Sequence, residues 1–304
     1  MLAALRTQGF CAAEIARQLG CHRSTVGREL GRNCTPWDGR YRAFKALELS
    51  NGRRSRSRRN QQFSDQDLGK VGELLAERWS PEQISGRLAR AATLSISHET
   101  IYRHVWRDKK AGGTLYKHLR CAQKRRRKGY GHYDSRGRLA GKRHISERPA
   151  AASNRGELGH WEIDTVMGTG SKDCIVSLVE RKTGLLIIGK LASRTTNALN
   201  ARTVELMNAH RGPFITITAD NGTEFHDYAS IEARTETTFY FATPYHSWQR
   251  GTNENTNGLI RQYLPRGTSM SQLTQRQCSR IAHCINARPR KRLGYRTPLE
   301  CFYE

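Results

Sequence analysis

Thr218-Ala-Asp-Asn-Gly-Thr-Glu-Phe225 is the stretch from which the fold of this chain can be read. Just ahead of it, Pro213-Phe-Ile-Thr-Ile-Thr-Ala219 is an apolar, β-branched run of strand length, and Asp-Asn-Gly then supplies the turn residues that end a strand. Asp220 is therefore expected at the exposed C-terminal end of a strand. Upstream, Gly159-His-Trp-Glu-Ile-Asp-Thr-Val-Met167 is a second apolar run, carrying Asp164. Downstream, Gly251-Thr-Asn-Glu-Asn-Thr-Asn-Gly-Leu-Ile-Arg-Gln-Tyr-Leu264 reads as a helix carrying Glu254. At about 100° per residue, Thr256, Leu259, Ile260 and Tyr263 share one side of that helix, while Glu254, Gly258 and Arg261 fall on the other. An acid on an exposed helix face is usually just solvated. Its neighbours make Glu254, with the two aspartates, a candidate for one shared site.

Those neighbours are Tyr245-His-Ser-Trp-Gln-Arg-Gly-Thr-Asn-Glu-Asn-Thr-Asn-Gly-Leu-Ile-Arg-Gln-Tyr-Leu-Pro265, and 33 residues separate Asp220 from Glu254. Together with Trp161-Glu-Ile-Asp-Thr165 and Ala219-Asp-Asn-Gly-Thr-Glu-Phe225, this resembles the DDE transposases and retroviral integrases, most closely the insertion sequence thirty family of bacterial transposases. The resemblance implies an α/β ribonuclease H-like (integrase) catalytic domain preceded by all-α helix-turn-helix DNA-binding modules. It implies Asp164, Asp220 and Glu254 as catalytic triad and metal ligands. It also implies a transposase that binds terminal inverted repeats and target sites in double-stranded DNA, nicks at element ends and joins the freed 3′-hydroxyl to the target. Mg²⁺ would be the cofactor, as two ions with Mn²⁺ able to substitute, and the enzyme would act as a dimer on DNA in the bacterial cytoplasm, at the nucleoid. A DNA-binding repressor and a metal-dependent nuclease without strand transfer are the competing functions.

Three carboxylates suit the chemistry. Phosphodiester cleavage needs an activated oxygen, an in-line leaving oxygen and compensation for charge on the phosphoryl group, which two ions about 3.5–4 Å apart supply. Hard cations of that kind take carboxylate oxygens. Asp164 is expected to bridge both ions, Asp220 to hold the one that activates the nucleophile, and Glu254 the one at the leaving group. Glu162, on the same side of its strand as Asp164, and Glu224, just after the turn, are rival acids expected in supporting or structural roles. His246, Trp248, Arg250 and Asn255 flank Glu254 and could hold the substrate backbone, as could Arg261, although Trp248 reads equally well as a core residue.

The balance of 52 Lys and Arg against 27 Asp and Glu, a formal net charge of +25, favours a polyanionic partner. No long apolar run, amphipathic anchor or signal peptide is evident, so no membrane partner is expected. The eight cysteines are scattered without a Cys-x-x-Cys pair and read as reduced thiols rather than a zinc site.

Along the chain, residues 1–50 read as an N-terminal helix-turn-helix domain. After a short helix at about 2–8, Ala16 allows close helix approach, Gly20 makes the turn, and Val26 with Leu30 anchors a second helix that presents Arg23, Ser24, Thr25 and Arg28 to DNA. An ordinary helical hairpin is the alternative. Residues 51–62, arginine-rich and almost without apolar residues, read as a basic linker. Residues 63–119 read as a second helical domain, in which Ser80-Pro-Glu-Gln83 starts a helix. There Ser97-His-Glu-Thr-Ile-Tyr-Arg-His-Val-Trp106 offers His98, Thr100 and Arg103 either to DNA or, as part of a helix pair, to a second subunit. Residues 120–155 read as a basic, glycine-interspersed tether, and 156–304 as the ribonuclease H-like DDE catalytic domain.

Overall fold

Helix α1 (Leu2–Thr7) is followed by α2 (Ala12–Gln18) and α3 (Arg23–Asn33), which are joined by a turn through Gly20 at φ +63°. Ile15, Ala16 and Val26 are buried where α2 meets α3, and Leu2, Leu5, Phe10 and Leu30 close around them. Helix α4 (Ala43–Arg56) is tied back to α3 by Arg53, which donates to the Arg32 carbonyl at 2.9 Å and to the Asn33 side chain. This corrects the expected linker at 51–62: residues 51–56 are the last turns of α4. An arginine that caps the carbonyl end of a neighbouring helix gives a basic run a reason to stay helical. The remainder of that linker, 58–62, lies outside the described residues.

The computed structural model describes residues 1–57, 63–120, 141–244 and 246–304, and groups them in two units, Met1–Leu68 and Gly69–Glu304. The division falls inside α5 (Asp65–Ala76). In the second unit, α6 (Pro81–Arg90) begins at a capping box, with Ser80 Oγ accepting from Gln83 N and Gln83 Oε1 from Ser80 N. Ile101 and Val105 bury the inner face of α7 (His98–Lys110). Rather than standing apart, α6 packs on the end of the chain. Gln83 donates to the Pro289 carbonyl at 2.8 Å, Arg87 pairs with Glu300, and Lys291 pairs with Glu82.

Residues 121–140 of the expected tether lie outside the described residues. The segment from 141 to 155 is packed rather than loose: Phe241 N donates to the Arg143 carbonyl at 2.9 Å, so the chain covers the open edge of the sheet before α8 (Ala150–Asn154).

The sheet holds β1 (His160–Met167), β2 (Cys174–Glu180), β3 (Leu186–Leu191), β4 (Thr216–Ala219) and β5 (Thr238–Phe241), in the order β3-β2-β1-β4-β5. The first three strands are antiparallel, while β4 pairs with β1, and β5 with β4, in parallel. Helices α9 (Thr196–Ala209) and α10 (Tyr228–Thr235) follow β3 and β4, and α11 (Gly251–Ile260), α12 (Gln275–Asn286) and α13 (Pro298–Tyr303) end the chain. Alternation along β1 sends Trp161 and Ile163 into a core with α9, α10 and α13. It sends Val166 into a second core on the opposite face, with Leu259 and Ile260 of α11 and Cys278, Ala282 and Ile285 of α12. Strand order, strand directions and helices on both faces make this the ribonuclease H-like fold.

Candidate active site

Because Trp161 and Ile163 point into the first core, strand alternation puts Glu162, Asp164 and Val166 together on the β1 face that α11 covers. The parallel register pairs Glu162 with Thr218; Asp164 lies two residues further along β1, and Asp220 just past the end of β4, where one arginine reaches both.

The two aspartates share a cation. Arg250, on the 3-10 turn that leads into α11, places Nη2 3.2 Å from Asp220 Oδ2 and Nη1 3.9 Å from Asp164 Oδ1, and also donates to the Ile163 carbonyl at 3.1 Å. Asp164 Oδ1 accepts from Thr165 N at 2.9 Å and Oδ2 from Asn257 Nδ2 at 2.7 Å. Burial pushes the Asp164 carboxyl above its ordinary value, and the charge of Asp220 adds to that, while Arg250, Thr165 and Asn257 pull it down. Asp220 is held by its own turn, with Oδ1 accepting from Gly222 N at 2.9 Å and Asn221 Nδ2 donating to the Ala242 carbonyl at 2.7 Å. A β-carbon at Gly222 would run into the Glu224 carboxylate and lie 2.9 Å from Asp220 Oδ1, so a larger residue there would displace these acids.

Glu254 is exposed in the first turn of α11. By helical geometry it stands about 60° from Asn257, the α11 residue that reaches Asp164, so its side chain leaves the helix next to that of Asn257. Among the described residues no three His, Cys, Asp or Glu side chains are gathered closely enough to hold a metal ion, and Glu254 stands apart from the aspartate pair to that extent. The buried side of α11 carries Asn253, Thr256, Leu259 and Ile260, as the apolar stripe implies.

The rival acids have partners of another kind. Glu162 is fully buried, paired with Arg181, and accepts from Asn253 N at 2.8 Å, which fixes the start of α11 against β1. Glu224 is also buried; its Oε1 accepts from Thr165 Oγ1 at 2.8 Å and from Arg194 Nε at 2.7 Å, while its Oε2 has no partner. Sequence reasoning misses Arg194, Thr165 and Asn257. Of these only Asn257 carries a signal, since it lies three residues beyond Glu254 on the same helix face.

Trp248 is 69% exposed, which removes the core reading and leaves its ring 4.4 Å from that of His246. Asn255 is exposed, whereas Arg261 donates to the carbonyls of Met167 and Leu264. In the first unit, Arg23, Ser24, Thr25 and Arg28 are all exposed on α3. On α7, His98 and Arg103 are exposed, and the half-buried Thr100 gives its N–H to the capping Ser97 and accepts from Arg103 at 3.2 Å. Among the described residues no helix is long and apolar enough to cross a membrane.

Residues 2–33 match a family model described as a helix-turn-helix domain. The transposase for insertion sequence element IS4351 of Bacteroides fragilis is 40% identical, over 95% of this chain and 88% of its own. Transposase InsI for insertion sequence element IS30A of Escherichia coli is 38% identical, over 94% of this chain and 77% of its own. Among solved structures, the catalytic core domain of BIV integrase overlaps 47% of this chain and 93% of its own, at 18% identity and a TM-score of 0.37. The chain belongs to the insertion sequence thirty family of DDE-type transposases.

Proposed function

We propose that Asp164, Asp220 and Glu254 form the metal-binding catalytic centre of this transposase, and that it cuts DNA at the terminal inverted repeats of its element and joins the 3′ end to target DNA. The observation that carries this reading is the pair of aspartates, Asp164 within β1 and Asp220 just past the end of the neighbouring parallel strand β4, turned toward one cation, with Glu254 on α11, the helix whose Asn257 holds Asp164. Carboxylate oxygens are the donors that Mg²⁺ and Mn²⁺ take, and two of them, Asp164 and Asp220, already face one cation, Arg250, so the residues fit such ions. When bound, two such ions would activate the attacking oxygen and stabilise the leaving one.

The chain's own groups do the rest. Asn257 and Thr165 N hold Asp164 in one rotamer, the Asp-Asn-Gly turn holds Asp220, and Arg250 keeps the two carboxylates together when no other cation is present. The exposed Arg23, Ser24, Thr25 and Arg28 on α3 would read the repeat, as a helix entering the major groove does. An element has two ends, which favours two copies of the chain acting together on nucleoid DNA. Asp164→Asn and Asp220→Asn each remove a ligand charge at almost constant volume. Both should abolish Mg²⁺-dependent nicking of an element-end duplex while leaving its binding within about threefold. Nicking retained by either variant would remove that aspartate from the centre.

A further inference from the structure

The flank of α11 opposite the aspartates carries a second constellation, which the catalytic reading does not use. Thr252 and Asn255 of α11, with Arg155, Arg290 and Arg292, line a cavity of about 160 Å³, and Arg120 reaches its rim by donating to Asn255 Oδ1 at 3.3 Å. Four arginines meet here, and among the described residues each has only neutral oxygen as a hydrogen-bond acceptor. Arg155 donates to Thr252 Oγ1 at 3.1 Å, Arg290 to the Ile285 carbonyl at 3.3 Å, and Arg292 to the Lys182 carbonyl. Among the described residues none of the four is in an ion pair. Glu180, whose charge favours that of Arg292, is buried and already accepts from Lys182 N, Thr183 N and Thr183 Oγ1. Burial, then Arg288, Arg292 and Arg120, press the Arg290 guanidinium down to about 10. Like charges gathered around one cavity are costly unless an anion joins them.

We infer that this cavity holds a non-reacting backbone phosphate of the DNA strand whose phosphate about two linkages away lies at the aspartates. Guanidinium groups take phosphate oxygens in forked pairs, and Gly251 and Thr252, in the first turn of α11 where N–H groups have no partner within the helix, line the same space. A strand crossing the first turns of α11 would thus be gripped on one flank and cut on the other, about one helix diameter (~10–12 Å) away. The inference rests on the function proposed above.

Its test is a binding measurement made without divalent metal, so that a failure of the carboxylate assignment leaves the result readable. Arg155→Gln combined with Arg292→Gln keeps much of the side-chain length and hydrogen bonding but removes two charges; Arg292→Gln alone, at an exposed residue, guards against misfolding. Affinity for an element-end duplex should fall about tenfold in the double variant, and the slope of log K against log salt should lessen by about 1. Replacing single phosphates by neutral methylphosphonates should find one linkage whose substitution weakens the wild-type chain but not the double variant. Unchanged affinity and slope in both variants would overturn the inference, as would a phosphate scan in which no linkage behaves this way. Stabilisation by inorganic phosphate that these substitutions abolish, with DNA binding unaltered, would make it a free-anion site and overturn it too.

Discussion

At the scale of single residues, the choice between Glu254 and Glu224 turns on what each carboxylate already does. Glu224 is buried against Arg194 and Thr165, so Glu224→Gln should cost about 1–3 kcal/mol of stability and comparatively little cleavage. Glu254 is exposed, so Glu254→Gln should leave the melting temperature unchanged and slow single-turnover cleavage by at least about a hundredfold, roughly 2.7 kcal/mol of transition-state stabilisation. Measuring melting and cleavage for both variants separates the roles, and a larger cleavage defect at Glu224 would reverse the assignment. Which acids could meet is legible in the sequence, because strand alternation, the Asp-Asn-Gly turn and helical spacing are local rules. Which partners hold them is not: Arg250 lies between two aspartates and Thr165 reaches Glu224 only after distant segments pack.

At the scale of elements, β1, β4 and the start of α11 fall close to where apolar runs and turn residues put them, β1 over residues 160–167, while α11 ends at Ile260, short of the expected Leu264. The basic stretches depart from their sequence reading for one physical reason. Composition says whether a segment can form a core, but it does not say whether a neighbour offers carbonyls, as α3 does to Arg53, or a strand edge, as β5 does to Arg143. The docking of α6 on the chain's end is equally invisible in the sequence, and it makes a pH prediction. The hydrogen bond from Arg87 is the main cause that pulls the Glu300 carboxyl from the usual 4.5 to about 2, against the opposing effect of burial. A carboxylate depressed in the folded state stabilises fully above the unfolded value and loses that contribution as pH falls through the folded one. Glu300→Gln retains the cap on α13, so its urea midpoint should lie below wild type at neutral pH, and the gap should close between about pH 4.5 and 2. A gap that does not change with pH would mean the ion pair contributes nothing.

At the scale of the whole molecule, a formal charge of +25 on 304 residues predicts association with DNA that depends steeply on salt. If about six or more phosphates are contacted, affinity should drop by about a thousandfold or more between roughly 50 and 200 mM salt, as fluorescence anisotropy would read; a nearly flat dependence would contradict it. The central claim is that one chain both recognises an element end and performs cutting and joining at its three carboxylates. The most direct measurement incubates the purified chain with a labelled element-end duplex and a supercoiled target plasmid in Mg²⁺, and follows label covalently joined to plasmid. The account predicts joined product for the wild type, none without divalent metal and none for Asp220→Asn. Cleaved ends that are never joined, or joined product from the Asp220→Asn chain, would contradict it.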